Sequence, residues 1–325
     1  MPQPRIDVHF HYLPEFYRNA LAAAGQVHPD GMAAVPGWSE ADMLDAMDRL
    51  GIERAYLSIS SPGVHFGDDA AARALARRVN EEGARLTAAH PGRIGFFAST
   101  PLPDIDAALA EIRHAFDHLG AAGVVFETSF HGEYLGDERL FSLYAELDRR
   151  GAVLFLHPTT PGKPCGCGSA VVPTLGYPAP MLEFIFDTTR TVTNMVLAGV
   201  FDRYPNLRVI VPHAGAALPI LAARIDLFGP TLESHNGPKS PSMRDALRRL
   251  HYDLAGAPVP EMLAALLSVA DPSRIHYGSD WPFTPTAACE QLAAALDGTP
   301  LLDAGLRVEV LRSNAERLFG QAPAA

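Results

Sequence analysis

Arg5-Ile6-Asp7-Val8-His9-Phe10-His11 is the stretch whose reading decides the architecture. Side chains alternate across a strand with period two, so His9 and His11 emerge on one side and can grip a single ion together. Three more apolar runs end in a residue of metal-ligand type: Leu154-Phe155-Leu156-His157, Val209-Ile210-Val211-Pro212-His213 and Tyr277-Gly278-Ser279-Asp280. Such residues at the ends of strands far apart in sequence imply a mononuclear metal site at the mouth of a β/α barrel. A third imidazole and a carboxylate complete a site that leaves room for water or substrate.

Outward from these stretches, short β-branched or aromatic runs alternate with longer helical patterns, the order of a parallel βα architecture. The runs at 5–9, 54–60, 94–100, 123–127, 153–157, 208–213, 251–254 and 275–278 predict eight strands and a (β/α)8 TIM barrel. Ser39 caps a helix whose apolar positions Met43, Leu44, Met47 and Leu50 recur at helical spacing, and Gly51 ends it. Further helices are expected at 68–90, 104–119, 137–150, 179–203, 217–228, 258–271, 286–297 and 303–319. A barrel of this type needs about 250 residues. The 325 residues are therefore expected to form one domain, 1–325, with Gly- and Pro-rich insertions at about 26–38 and 159–180 after strands 1 and 5. Both follow strands that end in candidate ligands and so would roof the site. Residues 321–325 are expected to be a frayed tail.

Composition narrows the class. Hydrophobic residues at 48% and charged residues at 19% suit a large packed core. A net charge of −11 gives no basic field for nucleic acid or anionic lipid. No stretch approaches the roughly 20 apolar residues that would span a bilayer, and no signal-type region precedes the first strand. A cytoplasmic protein without nucleic-acid or membrane partners is expected. The three cysteines, Cys165, Cys167 and Cys289, cannot form a paired framework and are expected to be reduced thiols. Cys165 and Cys167 have no matching Cys or His pair close by, so they read as loop residues and not as a zinc knot.

The order His-x-His, His, His, Asp over strands 1, 5, 6 and 8 resembles the amidohydrolase superfamily. The strand-4 end, Gly123 to Glu127, offers no lysine of the kind carbamylated in its binuclear members. More specifically, the chain resembles the decarboxylase branch of aminocarboxymuconate semialdehyde, resorcylate and 6-methylsalicylate decarboxylases. The matching stretches are RIDVHFHYLPEFY, WSEADMLDAMDRLGIERAYLSISSPGV, LEFIFDTTR, VPHAGAALP, HYDLAG, YGSDWPF and NAERLFG, between Arg5 and Gly320. The resemblance implies that His9, His11, His157 and Asp280 bind one divalent metal ion, with His213 beside it as an acid/base and Asp7 orienting a ligand. Members use zinc or manganese. Imidazole-rich coordination favours zinc here, while the carboxylate and open positions also admit manganese. A homodimer is implied too, in keeping with a long 179–203 helix that carries exposed-looking Asp187 and Arg190.

The implied reaction is non-oxidative loss of carbon dioxide from a small aromatic carboxylate. A hydroxyl ortho to the carboxylate gives the metal a chelating oxygen pair, and Asp280 or His213 hands a proton to the carbon, with no organic cofactor. In the muconate-type enzyme the histidine instead serves as base for an activated water, and the sequence leaves both routes open. That enzyme carries a carboxylate-gripping arginine shortly before the tryptophan corresponding to Trp38, where this chain has Ala33-Ala34-Val35-Pro36-Gly37. Resorcylate-type relatives carry a glutamate where Ala216 stands, so an apolar ring substituent is expected. Tyr12, Trp38, Phe184, Arg190 and Trp281 are the candidate substrate contacts. The alternatives are a hydrolase of a lactone or amide on the same site, with Asp280 as general base, and a non-catalytic metal-binding barrel.

Overall fold

Runs of β-branched and aromatic residues, bounded by Gly, Pro and capping residues, fold as eight parallel strands that pair in sequence order. They are β1 (Arg5–His11), β2 (Ile52–Ser58), β3 (Ile94–Ala98), β4 (Gly123–Glu127), β5 (Val153–His157), β6 (Arg208–Val211), β7 (His251–Asp253) and β8 (Ile275–His276). The computed structural model describes residues 3–160, 176–229 and 241–320. Parallel bridges of Asp7 with Tyr277 and Phe10 with Trp281 join the two ends of the sheet. The Val8 N–H donates to Tyr277 O at 3.0 Å and the His11 N–H to Trp281 O at 2.7 Å. The strands thus make a nearly closed (β/α)8 barrel flanked by helices, as the alternation predicts.

Helices α1 (Glu15–Ala23), α2 (Glu40–Leu50), α3 (Asp69–Ala89), α4 (Ile105–His118), α5 (Phe141–Arg150), α6 (Glu183–Leu197), α7 (Leu218–Phe228) and α8 (Thr286–Gly298) lie among shorter helical segments. Ser39 caps α2 by accepting from the Asp42 N–H at 3.1 Å, and Gly51 ends it at φ 69°. Met43, Ala46, Met47 and Leu50 are its buried face. Asp68 and Asp104 cap α3 and α4 in the same way. No helix among the described residues is long and apolar enough to cross a membrane.

Several expectations change. The helix expected over 179–203 is a 3-10 turn at Ala179–Met181, then α6, then a short helix at Val200–Arg203, because Gly199 turns the chain at φ 72°. Asp187, read as exposed, is fully buried and accepts from the hydroxyls of Thr128 and Tyr134. β6 stops at Val211, since Pro212 has no N–H and both His213 and Ala214 have positive φ. The stretch 303–319 is interrupted by a five-residue π segment, Glu309–Ser313. α1 escaped the sequence reading because Pro14 precedes it and no side chain caps it. Cys165, Cys167 and the 321–325 tail lie outside the described residues, while Cys289 is buried.

The key local irregularity lies in β1. Asp7 pairs with Ala55 but Phe10 with Leu57, so β1 carries one extra residue between them. That bulge shifts the parity. Ile6 and Val8 pack with Phe97, Val125, Val153, Phe155 and Ile210 inside the barrel, yet His9 also turns inward, 4.9 Å from the Phe155 ring.

Strand spacing constrains β4 as well. A Cβ on Gly123 would come within 2.5 Å of Val153 O and 3.0 Å of Phe97. Gly123→Ala is expected to cost about 1–3 kcal/mol through overpacking and strained β4–β5 pairing, seen as a lower thermal midpoint; an unchanged midpoint would contradict this account of the packing.

Candidate metal centre

Four side chains converge at the C-terminal end of the barrel. One ligand atom from each of His9, His11, His157 and Asp280 lies within 4.8 Å of the others. His9 Nδ1 faces Asp253 Oδ2 at 2.9 Å, which leaves Nε2 turned toward Asp280 at 3.4 Å. A carboxylate only accepts, so the His9 proton sits on Nδ1 and Nε2 is free to ligate. His11 repeats the arrangement. Its Nδ1 is 3.2 Å from Ser58 O and its Nε2 3.1 Å from Asp280 Oδ1. His157 Nε2 lies 3.3 Å from Ser60 Oγ. His213 stands just outside, with Nε2 3.9 Å from Asp280 Oδ2.

The donor set suits a divalent cation. His9 Nε2 is buried with no hydrogen-bond partner, an unusual state for an imidazole nitrogen aimed at two other imidazoles and a carboxylate. Three nitrogens and one carboxylate oxygen could hold one divalent cation. The electrostatics agree. Burial alone would push His9 down, but the Asp253 and Asp280 carboxylates outweigh it and raise it to about 10. Burial and the neighbouring His11 and His9 push His157 well below its ordinary value. Burial would raise Asp280, yet the imidazoles of His11, His213 and His9 hold its carboxyl well below the usual range.

Backbone contacts deliver these groups. Asp7 Oδ1 accepts from the N–H of His9 at 2.9 Å and of Ser279 at 3.3 Å, tying β1 to the segment that carries Asp280. Burial pushes the Asp7 carboxyl up to about 7. Asp253 Oδ1 accepts from the backbone N–H of His213 at 3.0 Å, so a single carboxyl fixes the His9 ring and the start of the His213 turn. Gly278 permits the close approach, because a Cβ there would come 2.8 Å from His9 Cβ and 3.2 Å from Asp253 Cβ. His213 and Asp280 both sit at positive φ, 56° and 60°, a strained backbone for non-glycine residues that the surrounding contacts hold. The sequence reading had no role for Asp253, although its place at the end of strand 7 repeats the strand-end signal that marked the other ligands.

A cavity of about 560 Å³ opens over the cluster, with His157, His213 and Asp280 in its wall. Phe184, Phe283, Met32, Met181 and Met262 give it apolar sides, and no lysine or arginine lines it among the described residues. Of the substrate contacts expected from sequence, Phe184 lines this cavity; Tyr12, Trp38, Arg190 and Trp281 do not. Period two explains the first case, since Tyr12 follows an inward His11, points out of the barrel and donates to Val79 O at 2.8 Å. Trp281 follows Asp280, stacks on Phe10 with centroids 4.9 Å apart, and donates from Nε1 to Thr286. Trp38 packs against the core at the start of α2. Arg190 is exposed on α6, one turn on from buried Asp187 and beside Tyr134.

The sequence model of the family described as Amidohydrolase matches residues 6–321. The chain is 36% identical over 329 aligned residues to the 6-methylsalicylic acid decarboxylase of Aspergillus aculeatus, covering 97% of this chain and 96% of that protein. It is similar to a solved amidohydrolase at 36% identity, with a TM-score of 0.89 and coverage of 98% and 100% of the two chains. It also resembles 2,6-dihydroxybenzoate decarboxylase solved with 2,6-dihydroxybenzoate, at 26% identity and a TM-score of 0.80, covering 98% and 99%.

Loss of the Asp253 carboxylate removes the acceptor that sets the His9 ring. Asp253→Ala is expected to weaken divalent metal binding about 10- to 100-fold, measured by chelator competition; wild-type affinity in that variant would rule out the role.

Proposed function

The chain belongs to the amidohydrolase family, and from that premise we propose that it is a metal-dependent, non-oxidative decarboxylase of a small ortho-hydroxybenzoate of the 6-methylsalicylate type. The observation that carries this reading is the pairing of a three-histidine, one-carboxylate cluster with an apolar cavity free of lysine and arginine among its described lining. An aromatic acid in such a cavity has its ring against hydrocarbon and its charge directed at the cluster. His9, His11, His157 and Asp280 would hold the cation. When bound, it supplies a chelation point for the carboxylate and ortho oxygens and draws electron density from the ring.

The chain's own residues do the rest. Phe184 and Phe283 bracket the ring, and the methionine wall accepts a methyl substituent better than a further hydroxyl. Asp280 Oδ1 is committed to His11 and His9, whereas His213 reaches the cavity from outside the cluster. His213 Nε2 therefore holds the proton for the ring carbon. As the carbon–carbon bond breaks, its electron pair stays on that carbon, the His213 proton adds there and carbon dioxide leaves. The lack of an arginine in the described wall disfavours a dicarboxylate such as the muconate-type substrate. Zinc is the preferred cation on the imidazole-rich donor set.

Metal-stripped protein reloaded with zinc or manganese is expected to release carbon dioxide from 6-methylsalicylate, and chelated protein is expected to release none. His9→Ala and Asp280→Ala should lose both metal and turnover, while His213→Ala keeps its metal and loses about 10²- to 10⁴-fold in kcat. Failure of every ortho-hydroxybenzoate in the reloaded protein would sink the proposal; full turnover by His213→Ala would remove the acid.

We also read the chain as a homodimer. Ile220 and Leu227 on α7 and Met181 beside the cavity are 72%, 71% and 72% exposed, and a second copy would cover such apolar surface. Sedimentation at micromolar concentration is expected to give a dimer, and a monomer would reject it.

A further inference from the structure

Each ligand histidine must keep a lone pair on the nitrogen facing the cation, which obliges its other nitrogen to carry the proton and find an acceptor. His9 Nδ1 has Asp253, and His11 Nδ1 has the Ser58 carbonyl. His157 has no such hydrogen bond. Its Nδ1 is buried without a partner, and Glu127 Oε2, itself buried and without a partner, stands 3.6 Å away.

That placement is built into the barrel. Glu127 on β4 and His157 on β5 are register partners, so their side chains emerge together on one side of the sheet. The loop after β2 closes on the carboxyl from the other side. A Cβ on Gly63, at φ 73°, would come within 3.2 Å of Glu127 Oε1 and 3.3 Å of its Cγ. The Gly63 carbonyl is fixed by the Tyr17 hydroxyl at 2.8 Å. Glu127 also lines a second cavity, of about 190 Å³, along with Ser99 and Ser129, whose buried hydroxyls likewise lack partners. This space gives the carboxyl freedom to shorten 3.6 Å to a hydrogen bond of about 2.9 Å. A buried carboxyl with nothing to bind opposes folding, so a purely structural position there would favour an apolar residue.

We propose that Glu127 is the positioning residue for His157, its Oε2 accepting the Nδ1 proton and holding Nε2 toward the cation. The proposal rests on the metal-site reading above. It does not depend on the charge of Glu127, because an ionised carboxylate and the carbonyl oxygen of a carboxylic acid both accept. With it, the three imidazoles share one design, each fixed from behind by an oxygen on another strand or strand end.

The test compares zinc dissociation constants of wild type, Glu127→Gln and Glu127→Ala by chelator competition, with the thermal midpoint of each metal-free protein alongside. Glu127→Gln keeps an accepting amide oxygen and is expected to stay within about threefold of wild type. Glu127→Ala is expected to bind zinc at least about tenfold more weakly, with no fall in the midpoint of the metal-free protein. Equal affinity in wild type and Glu127→Ala overturns the role of Glu127 and leaves the metal centre standing. Loss in Glu127→Gln as large as in Glu127→Ala also overturns it, and a wild-type protein that binds no zinc or manganese overturns both readings.

Discussion

Asp7 Oδ1 accepts the backbone N–H groups of His9 and Ser279 across the seam where β1 meets the segment after β8. The Asp280 N–H donates to His9 O across the same seam at 2.8 Å. Closing the barrel and assembling the ligand cluster are therefore one event. Asp280 comes from 271 residues further along the chain than His9, and only this seam brings it onto the two histidines of β1. The β1 bulge belongs to the same constraint, since it lets Val8 fill the barrel while His9 faces the cluster.

Around that seam the protein buries polar groups that would oppose folding unless paired. Asp253 illustrates the solution, with one carboxyl oriented by its contacts to His9, His213 and Ala255. Buried polar atoms without a hydrogen-bond partner occur at several places in the barrel, and nitrogens of His9, His157 and His213 at the cluster are among them. The strained backbone at His213 and Asp280 lies there too, held by the carboxyls of Asp7 and Asp253 through neighbouring N–H groups.

The cavity divides recognition into two parts. Its sides are mostly hydrocarbon and aromatic, with Asp30, Ser60 and Thr284 among them, its floor is the cluster, and the described lining offers no lysine or arginine. Under the proposed function a ligand would set its ring against the wall and its oxygens toward the floor. This division suits a reaction in which the carboxylate leaves and the ring stays.

The sequence determined the strand alternation, the barrel and the ligand-type residues His9, His11, His157, His213 and Asp280, because these signals are local: apolar runs of strand length, each ending in a side chain able to bind a cation. Tertiary structure alone decided which oxygens stand behind the imidazoles. Asp253 and Glu127 end strands as plainly as the candidate ligands do, but where their carboxyls stand depends on register and on distances between strands that no local pattern carries. It likewise turned Tyr12 and Trp281 away from the cavity, broke the 179–203 helix at Gly199 and buried Asp187. The physical reason is common to all of these: a residue's type is written in the chain, but the side it faces depends on bulges, turns and closure, which are settled only when distant segments pack against one another.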